Sequence, residues 1–254
     1  MTALKLLILG GSGEAAGLAR ALRGDCRYDI TVSLAGRTAD PVLLPGKLRS
    51  GGFGGAEGLA RYLAEERFDA VIDATHPFAD EMKRNAIAGA QAAGVKFLAI
   101  RRPPWIRCEG DRWIDVESLE EAAAALGDEP KRVFLTTGRM ELAPFREAPQ
   151  HFYLLRSVDP PAPEDLPPRV RLITARGPFE VEDEKALLRE QTVDVIVTKN
   201  SGGSGASAKL EAARALGLPV IMVERPALPD APSVAGVEEA LDWLHRIHGS
   251  TSSA

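Results

Sequence analysis

Short apolar runs alternate with amphipathic segments along most of the chain. The runs have the length of buried strands, and the segments between them carry apolar residues at helical spacing. Strands are predicted at residues 4–9, 28–35, 68–73, 95–100, 113–116, 132–136, 152–156, 170–175, 193–198 and 219–223. Helices are predicted at residues 14–22, 56–66, 78–93, 119–126, 141–145, 181–191, 206–216 and 237–248. This alternation predicts an α/β fold of mostly parallel sheets with helices on both faces.

The alternation is interrupted once, at Arg101-Arg102-Pro103-Pro104. Two adjacent prolines cannot continue a helix, so we expect a connection between domains near Arg101. A chain of 254 residues is long enough for two compact α/β domains. The predicted domains are residues 1–100 and 101–248, followed by a disordered Gly/Ser tail at 249–254.

A glycine turn links the first strand to the first helix. The turn consists of Gly10, Gly11, Ser12, Gly13 and Glu14, and with Ala16 it fits the G-x-G-x-x-(G/A) pattern of dinucleotide folds. Such a turn lets a pyrophosphate approach the backbone at the positive end of the helix dipole. A plain structural turn is the alternative, and the Glu14 carboxylate would compete with a phosphate.

The end of the second strand carries a signal for the kind of nucleotide. Gly36, Arg37 and Thr38 follow the strand with no acidic residue at its end, and an arginine there accommodates the 2′-phosphate of NADP. A solvated surface arginine is the alternative. The next loop, 51–55, contains four glycines, among them Gly54 and Gly55. It suits close approach of a ligand to the backbone or is simply a mobile connection.

The strand at 68–73 runs into Ala74, Thr75 and His76. Ligands of open α/β sheets bind at the carboxyl ends of strands, so these three residues are candidates for cofactor binding. His76 is also a candidate proton donor, with a structural hydrogen-bonding role as the alternative. Pro77 is expected to set the first turn of the helix that follows.

Comparable polar loops follow strands in the second half. Thr137, Gly138 and Arg139 follow one strand, Arg176 follows another, and Lys199, Asn200, Ser201, Gly202 and Gly203 follow a third. The last loop is not a Walker loop, because its lysine precedes the glycines. Charge, hydrogen-bond donors and a helix amino terminus indicate a site for carboxylates, with a simple loop as the alternative.

Composition narrows the function classes. The net charge of −5 does not favour a nucleic-acid partner. Two cysteines and four histidines show no metal-ligand spacing, and Cys26 and Cys108 are expected to be buried. With no signal peptide at its start and no apolar run near the ~20 residues that span a bilayer, the chain is expected to be cytoplasmic without a membrane partner. A monomer is the working expectation, although the sequence leaves the oligomeric state open.

Seven segments together resemble the precorrin-6A reductase family of corrin-ring (cobalamin) biosynthesis, over nearly the whole chain. They are Ile8-Leu9-Gly10-Gly11-Ser12-Gly13-Glu14, Ser33-Leu34-Ala35-Gly36-Arg37-Thr38, Gly51-Gly52-Phe53-Gly54-Gly55, Asp73-Ala74-Thr75-His76-Pro77-Phe78-Ala79, Arg102-Pro103-Pro104-Trp105, Thr136-Thr137-Gly138-Arg139 and Thr198-Lys199-Asn200-Ser201-Gly202-Gly203.

The resemblance implies two Rossmann-like domains, with NADPH on the first and the macrocycle in the cleft between them. It implies reduction of the C18=C19 double bond of precorrin-6A by hydride transfer to C18 and protonation of C19. Our leading hypothesis is a reductase that uses neither metal nor flavin. The many carboxylates of that ring suit Arg101, Arg139, Arg176 and Lys199. Trp105 or Phe78 would stack on the ring, or else belong to the core.

Two other functions remain open on the sequence. One is an NADPH-dependent reductase of another anionic small molecule; the short-chain dehydrogenase class is disfavoured, because no tyrosine is followed by lysine at the Tyr-x-x-x-Lys spacing. The other is a non-catalytic NADP-binding sensor or tetrapyrrole carrier, which would bind the nucleotide without consuming it.

Overall fold

The structure, a computed structural model, describes residues 3–36 and 44–251. It divides into two compact units, Met1–Arg102 together with Ala227–Ala254, and Pro103–Pro226. Each unit contains one six-stranded sheet, and every strand pair in the described residues is parallel. The predicted α/β class with parallel sheets is therefore confirmed.

The first unit has the strand order of a doubly wound dinucleotide fold. Its strands are β1 (Leu4–Leu9), β2 (Tyr28–Leu34), β3 (Lys47–Ser50), β4 (Ala70–Asp73), β5 (Lys96–Ile100) and β12 (Ser233–Val234). They lie in the order β3-β2-β1-β4-β5-β12. The order reverses between β1 and β4, so a crevice opens there at the carboxyl ends of the strands.

Helices cover both faces of this sheet. They are α1 (Gly13–Ala21), α2 (Gly55–Glu65), α3 (Asp80–Ala93) and α8 (Val237–Thr251). Alternate β1 residues point to opposite faces. Leu6 and Ile8 pack with α1 and α8, whereas Leu7 and Leu9 pack with α2 and α3. Burial on both faces explains why β1 is apolar at nearly every position.

Five strands of the second unit follow the same order as in the first, but its sixth strand comes first in the unit rather than last. Its strands are β6 (Arg112–Val116), β7 (Arg132–Leu135), β8 (Phe152–Ser157), β9 (Val170–Thr174), β10 (Val195–Lys199) and β11 (Pro219–Val223). They lie in the order β9-β8-β7-β10-β11-β6, which reverses between β7 and β10. Its helices are α4 (Leu119–Ala124), α5 (Ala143–Arg146), α6 (Val181–Glu190) and α7 (Ala208–Leu216). Residues of α6 and α7 pack in one cluster with Phe134, Ile196 and Val220.

The division of the chain differs from the sequence-based one at its carboxyl end. Residues 227–251 lie in the first unit, whereas the sequence analysis assigned 101–248 to a second domain. The reason is that β12 pairs with β5 and α8 packs against α1. Helix α8 also extends to Thr251, into the tail that was expected to be disordered.

Some local predictions were wrong. Strands β3 and β12 were not predicted. Helix α3 begins at Asp80, so Pro77 lies before the helix and not in its first turn. It lies instead in a turn where the Ala79 N–H donates to the His76 carbonyl. Cys26 and Cys108 are both exposed rather than buried. Among the described helices, none has the length and apolar character needed to cross a bilayer.

Candidate functional site

The loops after β1 and β4 meet at the point where the strand order of the first sheet reverses. The Ser12 hydroxyl donates a hydrogen bond of 2.6 Å to the Ala74 carbonyl and accepts one of 3.2 Å from the Ala15 N–H. Ser12 is thus the N-cap of α1 and also joins the two loops. The predicted candidates Gly10–Glu14 and Ala74–His76 are brought together.

The glycine turn leaves its backbone accessible. Gly11 has a φ of 115°, which favours glycine, and a Cβ at Gly11 or Gly13 would meet nothing within 4 Å. Gly10 differs, because a Cβ there would lie 2.9 Å from the Leu34 side chain, so it serves packing on β2. Apart from the Ala15 N–H, which Ser12 caps, the first-turn N–H groups of α1 have no acceptors within the helix, and an accessible turn at this end fits a phosphate group.

The carboxylate of Glu14 at this helix end is neutralised by Arg102. The Arg102 Nη1 donates to both carboxylate oxygens of Glu14, at 3.0 and 2.9 Å. Burial raises the pKa of Glu14, but hydrogen bonds and charge from Arg102 outweigh that effect and hold it below its usual value. The carboxylate therefore faces a guanidinium, which weakens the objection that it would repel a phosphate.

A buried ion pair at the end of β4 stabilises the loop that follows this strand. The Lys83 ammonium on α3 lies 3.1 Å from Asp73 Oδ2, and both side chains are at most 4% exposed. Asp73 Oδ1 accepts hydrogen bonds from the N–H and the hydroxyl of Thr75, at 3.0 and 2.6 Å. The Lys83 ammonium also lies 3.4 Å from the Thr75 carbonyl. Thr75 is therefore fixed by three contacts next to His76.

His76 is half-buried at the top of this loop. Its Nδ1 accepts a hydrogen bond of 3.3 Å from the Phe78 N–H, and the two rings are 6.0 Å apart. A neutral ring that accepts at Nδ1 carries its proton on Nε2. His76 can therefore present an N–H donor while its ring orientation is set by the turn.

Of the candidate residues predicted at the end of β2, the structure describes Gly36 but not the two that follow it. Gly36 has a φ of 71°, and a Cβ there would lie 3.0 Å from the Ser50 hydroxyl of β3. Gly54 is the N-cap of α2, with Gly55 as its first residue. Arg37 and Thr38 lie outside the described residues. Their assignment to the nucleotide remains a prediction.

In the second unit, the predicted loops after β7 and β10 likewise flank the reversal point. The Thr137 hydroxyl is buried and has no hydrogen-bond partner among the described residues, and Gly138 beside it has a φ of 102°. Buried polar groups are almost always paired, so this hydroxyl is a candidate contact for a bound group. The two loops are also linked, because Lys199 forms an ion pair with Glu141.

The other predicted cations lie in different surroundings. The Arg139 Nη1 lies 3.4 Å from the Pro160 carbonyl, next to the end of β8. Arg176 is exposed after β9 and forms no ion pair with any residue the structure describes. Arg101 belongs to the first unit, where its Nη2 lies 3.2 Å from the Pro229 carbonyl. It therefore belongs to a different unit from the other predicted macrocycle ligands, Arg139, Arg176 and Lys199.

Asn200 shapes its loop through its side-chain amide. The amide oxygen accepts from the Trp105 N–H at 2.8 Å, and the amide nitrogen lies 3.3 Å from the Trp105 carbonyl. The Trp105 ring nitrogen donates to the Gly203 carbonyl at 2.7 Å. A Cβ at Gly202 would lie 2.0 Å from the Pro103 carbonyl oxygen. The segment 103–105 is therefore clamped against the glycine loop.

A buried charged cluster lies behind this loop. The Arg156 guanidinium binds both carboxylate oxygens of Glu184, at 2.5 and 3.0 Å, and lies 3.7 Å from the Phe179 ring centre. The Lys209 ammonium donates to the Ala206 carbonyl at 2.7 Å and lies 4.8 Å from the Trp105 ring. Burial and the charge of Arg156, opposed by that of Glu184, lower the pKa of Lys209 to about 7.

Sequence reasoning missed Arg102, Lys83, Glu184 and Lys209 as contributors to these sites. For the two lysines, the sequence did contain a pattern that could have marked them. Lys83 shares the buried face of α3 with Ala86 and Ala90, and Lys209 that of α7 with Ala212 and Ala213. A lysine at such a position is almost never buried without a partner, so helical periodicity could have marked both. No spacing rule would have identified the partners.

The sequence matches one protein family over nearly its whole length. The family model described as "Precorrin-6x reductase CbiJ/CobK" matches residues 5–245. A precorrin-6A reductase from Sinorhizobium is 53% identical, with 94% of each chain covered. One from Rhodobacter capsulatus is 49% identical, with 97% of this chain and 98% of the relative covered. A cobalt-precorrin-6A reductase from Priestia megaterium is 30% identical, with 94% and 97% covered.

A solved structure agrees with these relatives. The structure titled "CobK precorrin-6A reductase" superposes with a TM-score of 0.90 at 50% identity, covering 97% of both chains. Fold, family model and close relatives therefore agree over nearly the full length. The chain belongs to the precorrin-6x reductase family.

Proposed function

We propose that this chain reduces a ring double bond of precorrin-6A with NADPH, in cobalamin biosynthesis. The first unit holds the dinucleotide, and the second holds carboxylates of the macrocycle. Family membership makes the chain an oxidoreductase that uses a nicotinamide cofactor. The choice of NADPH and the residues in each role are the parts proposed here.

The hydrogen bond from Ser12 to Ala74 carries the assignment of the first unit. It joins two loops across the reversal point, beside an accessible glycine turn that opens α1. A pyrophosphate would be held by the backbone of Gly11, Ser12 and Gly13, with the loop of Ala74–His76 beside it. Strand β2 ends at Leu34 and is followed by Ala35 and Gly36, so no carboxylate stands at its end to select NADH. This absence and Arg37 support NADPH.

The second unit supplies complementary chemistry for a polyacidic ring. Lys199 ends β10, Arg139 and Arg176 follow β7 and β9, and the buried Thr137 hydroxyl also follows β7. The hydroxyl of Ser201 and the backbone of Gly138, Gly202 and Gly203 add donors to the same loops, whereas Asn200 acts by shaping them. Charge-assisted hydrogen bonds of this kind orient a carboxylate strongly.

Metal-free precorrin-6A is the better match for the substrate. The relatives named for precorrin-6A are 46–53% identical to this chain, whereas those named for the cobalt-bearing ring are 29–30% identical. This difference supports the metal-free ring.

The reaction needs a hydride and a proton. NADPH supplies the hydride, which goes to C18, and one proton added to C19 completes the reduction and leaves NADP⁺. His76 is our candidate source of that proton in its imidazolium form, which gives the Nε2 proton to C19 and returns to neutral imidazole. Protonation of Nδ1 in that form replaces the hydrogen bond that Nδ1 accepts from the Phe78 N–H. The remaining work of the chain is to hold both reactants in place.

Anaerobic incubation of the purified chain with NADPH and precorrin-6A tests this proposal. We expect loss of NADPH absorbance matched one to one by a product heavier by two hydrogen atoms. NADH and the cobalt-bearing ring, run in parallel, should react more slowly. Binding of both ligands without turnover would indicate a sensor or carrier, and turnover only with another anionic compound would indicate a different reductase.

A further inference from the structure

Arg49 lies at the carboxyl end of β3, directly beside the end of β2. In the parallel register it is the partner of Ser33, one residue before β2 ends. Adjacent strands are about 5 Å apart. The residue that follows the second strand of a dinucleotide fold lies at the ribose 2′ position. Arg49 is therefore one strand away from the place where NADP and NAD differ.

The contacts of Arg49 leave part of its guanidinium available. Its Nη1 lies 2.6 Å from the Gly51 carbonyl and 3.3 Å from the Ser33 hydroxyl, and its Nη2 lies 2.8 Å from the Gly52 carbonyl. These contacts use three of the five N–H groups of an arginine. The Nε–H and one Nη2–H have no acceptor among the described residues.

The guanidinium is also held in place by aromatic rings. Its central carbon lies 3.7 Å from the centre of the Phe53 ring and 5.0 Å from that of Tyr62. Stacking on an aromatic face restricts an arginine without using its N–H groups. The side chain is thus fixed before any ligand binds, which lowers the entropy that binding would cost.

The charge of Arg49 is not neutralised by a carboxylate among residues 3–36 and 44–251. Lys47 provides the contrast, because it begins the same strand and pairs with Asp29 at 2.9 Å. Arg49 is thus fixed and half-buried, and among the described residues it has two spare donors and no ion-pair partner, an arrangement that suits the binding of a phosphate.

We propose that Arg49 binds the 2′-phosphate of NADPH and helps the enzyme to prefer NADPH over NADH. The inference rests on the proposed use of NADPH. It deepens that proposal, because it adds a cation on β3 to the one expected at Arg37. Arg49 has a second effect through the same contacts, since its bonds to the Gly51 and Gly52 carbonyls fix the start of the glycine loop 51–55.

The experiment must separate these two effects. Binding constants for NADPH, NADH, adenosine 2′,5′-bisphosphate and 5′-AMP are measured by calorimetry for wild type, R49M and R49Q. R49M keeps an apolar stem against Phe53, and R49Q keeps an amide that can donate to the loop carbonyls; both lack the charge. K47M is the matched control, because it removes the same charge from the same strand two residues away.

We expect R49M and R49Q to bind NADPH and the bisphosphate about 10- to 100-fold more weakly, the usual loss for a charged contact to phosphate. Binding of NADH and 5′-AMP should change less than about 3-fold, and K47M should behave as wild type. Thermal unfolding of each variant shows whether it is folded. If R49M does not fold, R49Q provides the comparison, because it retains a donor for the loop.

Two results would overturn the inference. Equal losses for NADPH and NADH in R49M and R49Q would show that Arg49 only shapes the loop. A preference for NADPH that survives in both variants would exclude Arg49 from the 2′-phosphate site while leaving the use of NADPH intact. Wild type without any preference for NADPH would instead refute the proposed cofactor, and this inference with it.

Discussion

The hydroxyl of Ser12 donates a hydrogen bond of 2.6 Å to the carbonyl of Ala74, across the point where the first sheet reverses its strand order. The same hydroxyl caps α1 through the Ala15 N–H. One side chain therefore sets both the amino end of the first helix and the loop that leads to His76. The glycine turn and the His76 loop act as a single unit, and disturbing one should disturb the other.

Replacing Ser12 with alanine should weaken both the fold and the cofactor site. The loss of a cap and of a bond to a buried carbonyl is expected to cost about 1–2 kcal/mol in the free energy of unfolding. NADPH affinity should fall as well, measured by calorimetry. The matched control is Ser118→Ala, because Ser118 caps α4 by the same contact in the second unit. Ser118→Ala should lower the free energy of unfolding and leave NADPH affinity unchanged. An equal loss of NADPH affinity in both variants would contradict the assignment of the Ser12 turn to the cofactor.

The buried pair of Lys83 and Asp73 should be needed to hold Thr75 in place. Lys83→Met leaves the Asp73 carboxylate buried without its partner, which typically costs about 3–5 kcal/mol. We expect a lower urea midpoint and weaker NADPH binding. Arg156→Met is the control, since it leaves the buried Glu184 of the second unit without its partner. If it weakened NADPH binding as much as Lys83→Met does, the effect would be general loss of structure.

Lys209 should make stability rise with pH above neutrality. Its pKa is lowered to about 7 in the folded chain by burial and by Arg156, from about 10.4 in an unfolded chain. The unfolded state binds more protons between these two values, so stability increases across that window. The penalty is greatest below pH 7, and a shift of this size corresponds to roughly 5 kcal/mol.

Lys209→Met should therefore raise stability near pH 6 and flatten the rise between pH 7 and 10. Urea unfolding at a series of pH values measures both effects. An unchanged pH profile in the variant would show that Lys209 is not the group responsible.

The glycine loop after β10 should tolerate a methyl group at one glycine and not at another. A Cβ at Gly202 would lie 2.0 Å from the Pro103 carbonyl, and the residue has a φ of 67°. Gly202→Ala is expected to cost about 3 kcal/mol or more and to weaken binding of the macrocycle. Gly205→Ala is the control, because nothing lies within 4 Å of its Cβ position. Similar macrocycle affinities for the two variants would argue against the loop as a binding element.

Periodicity alone predicted most of the fold, since buried strands such as β1 and β11 are apolar at nearly every position. Strand β3 was missed because it is four residues long, mostly exposed and polar, and β12 because it has only two residues. The division of the chain was also missed. Pairing of β12 with β5 joins positions more than 130 residues apart, and no local pattern encodes that contact.

The candidate site was predicted as loops but not as contacts. Strand ends followed by Gly, Ser, Thr and His predicted which loops would lie together, because parallel strands end at a common edge. Their contacts with a ligand remain a prediction. The partners of those residues come from distant positions. Arg102 binds Glu14 across 88 residues, and Asn200 binds Trp105 across 95. Such pairs depend on the packing of whole elements, so the sequence indicated the groups and not their arrangement.

A crystal structure of the chain with bound NADP⁺ tests the central claim most directly. We expect the pyrophosphate at the amino end of α1, against Gly11 and Gly13, with the nicotinamide end near the loop that carries His76. NADP⁺ bound at the loops of Thr137 and Lys199 in the second unit, with the first glycine turn empty, would contradict the account.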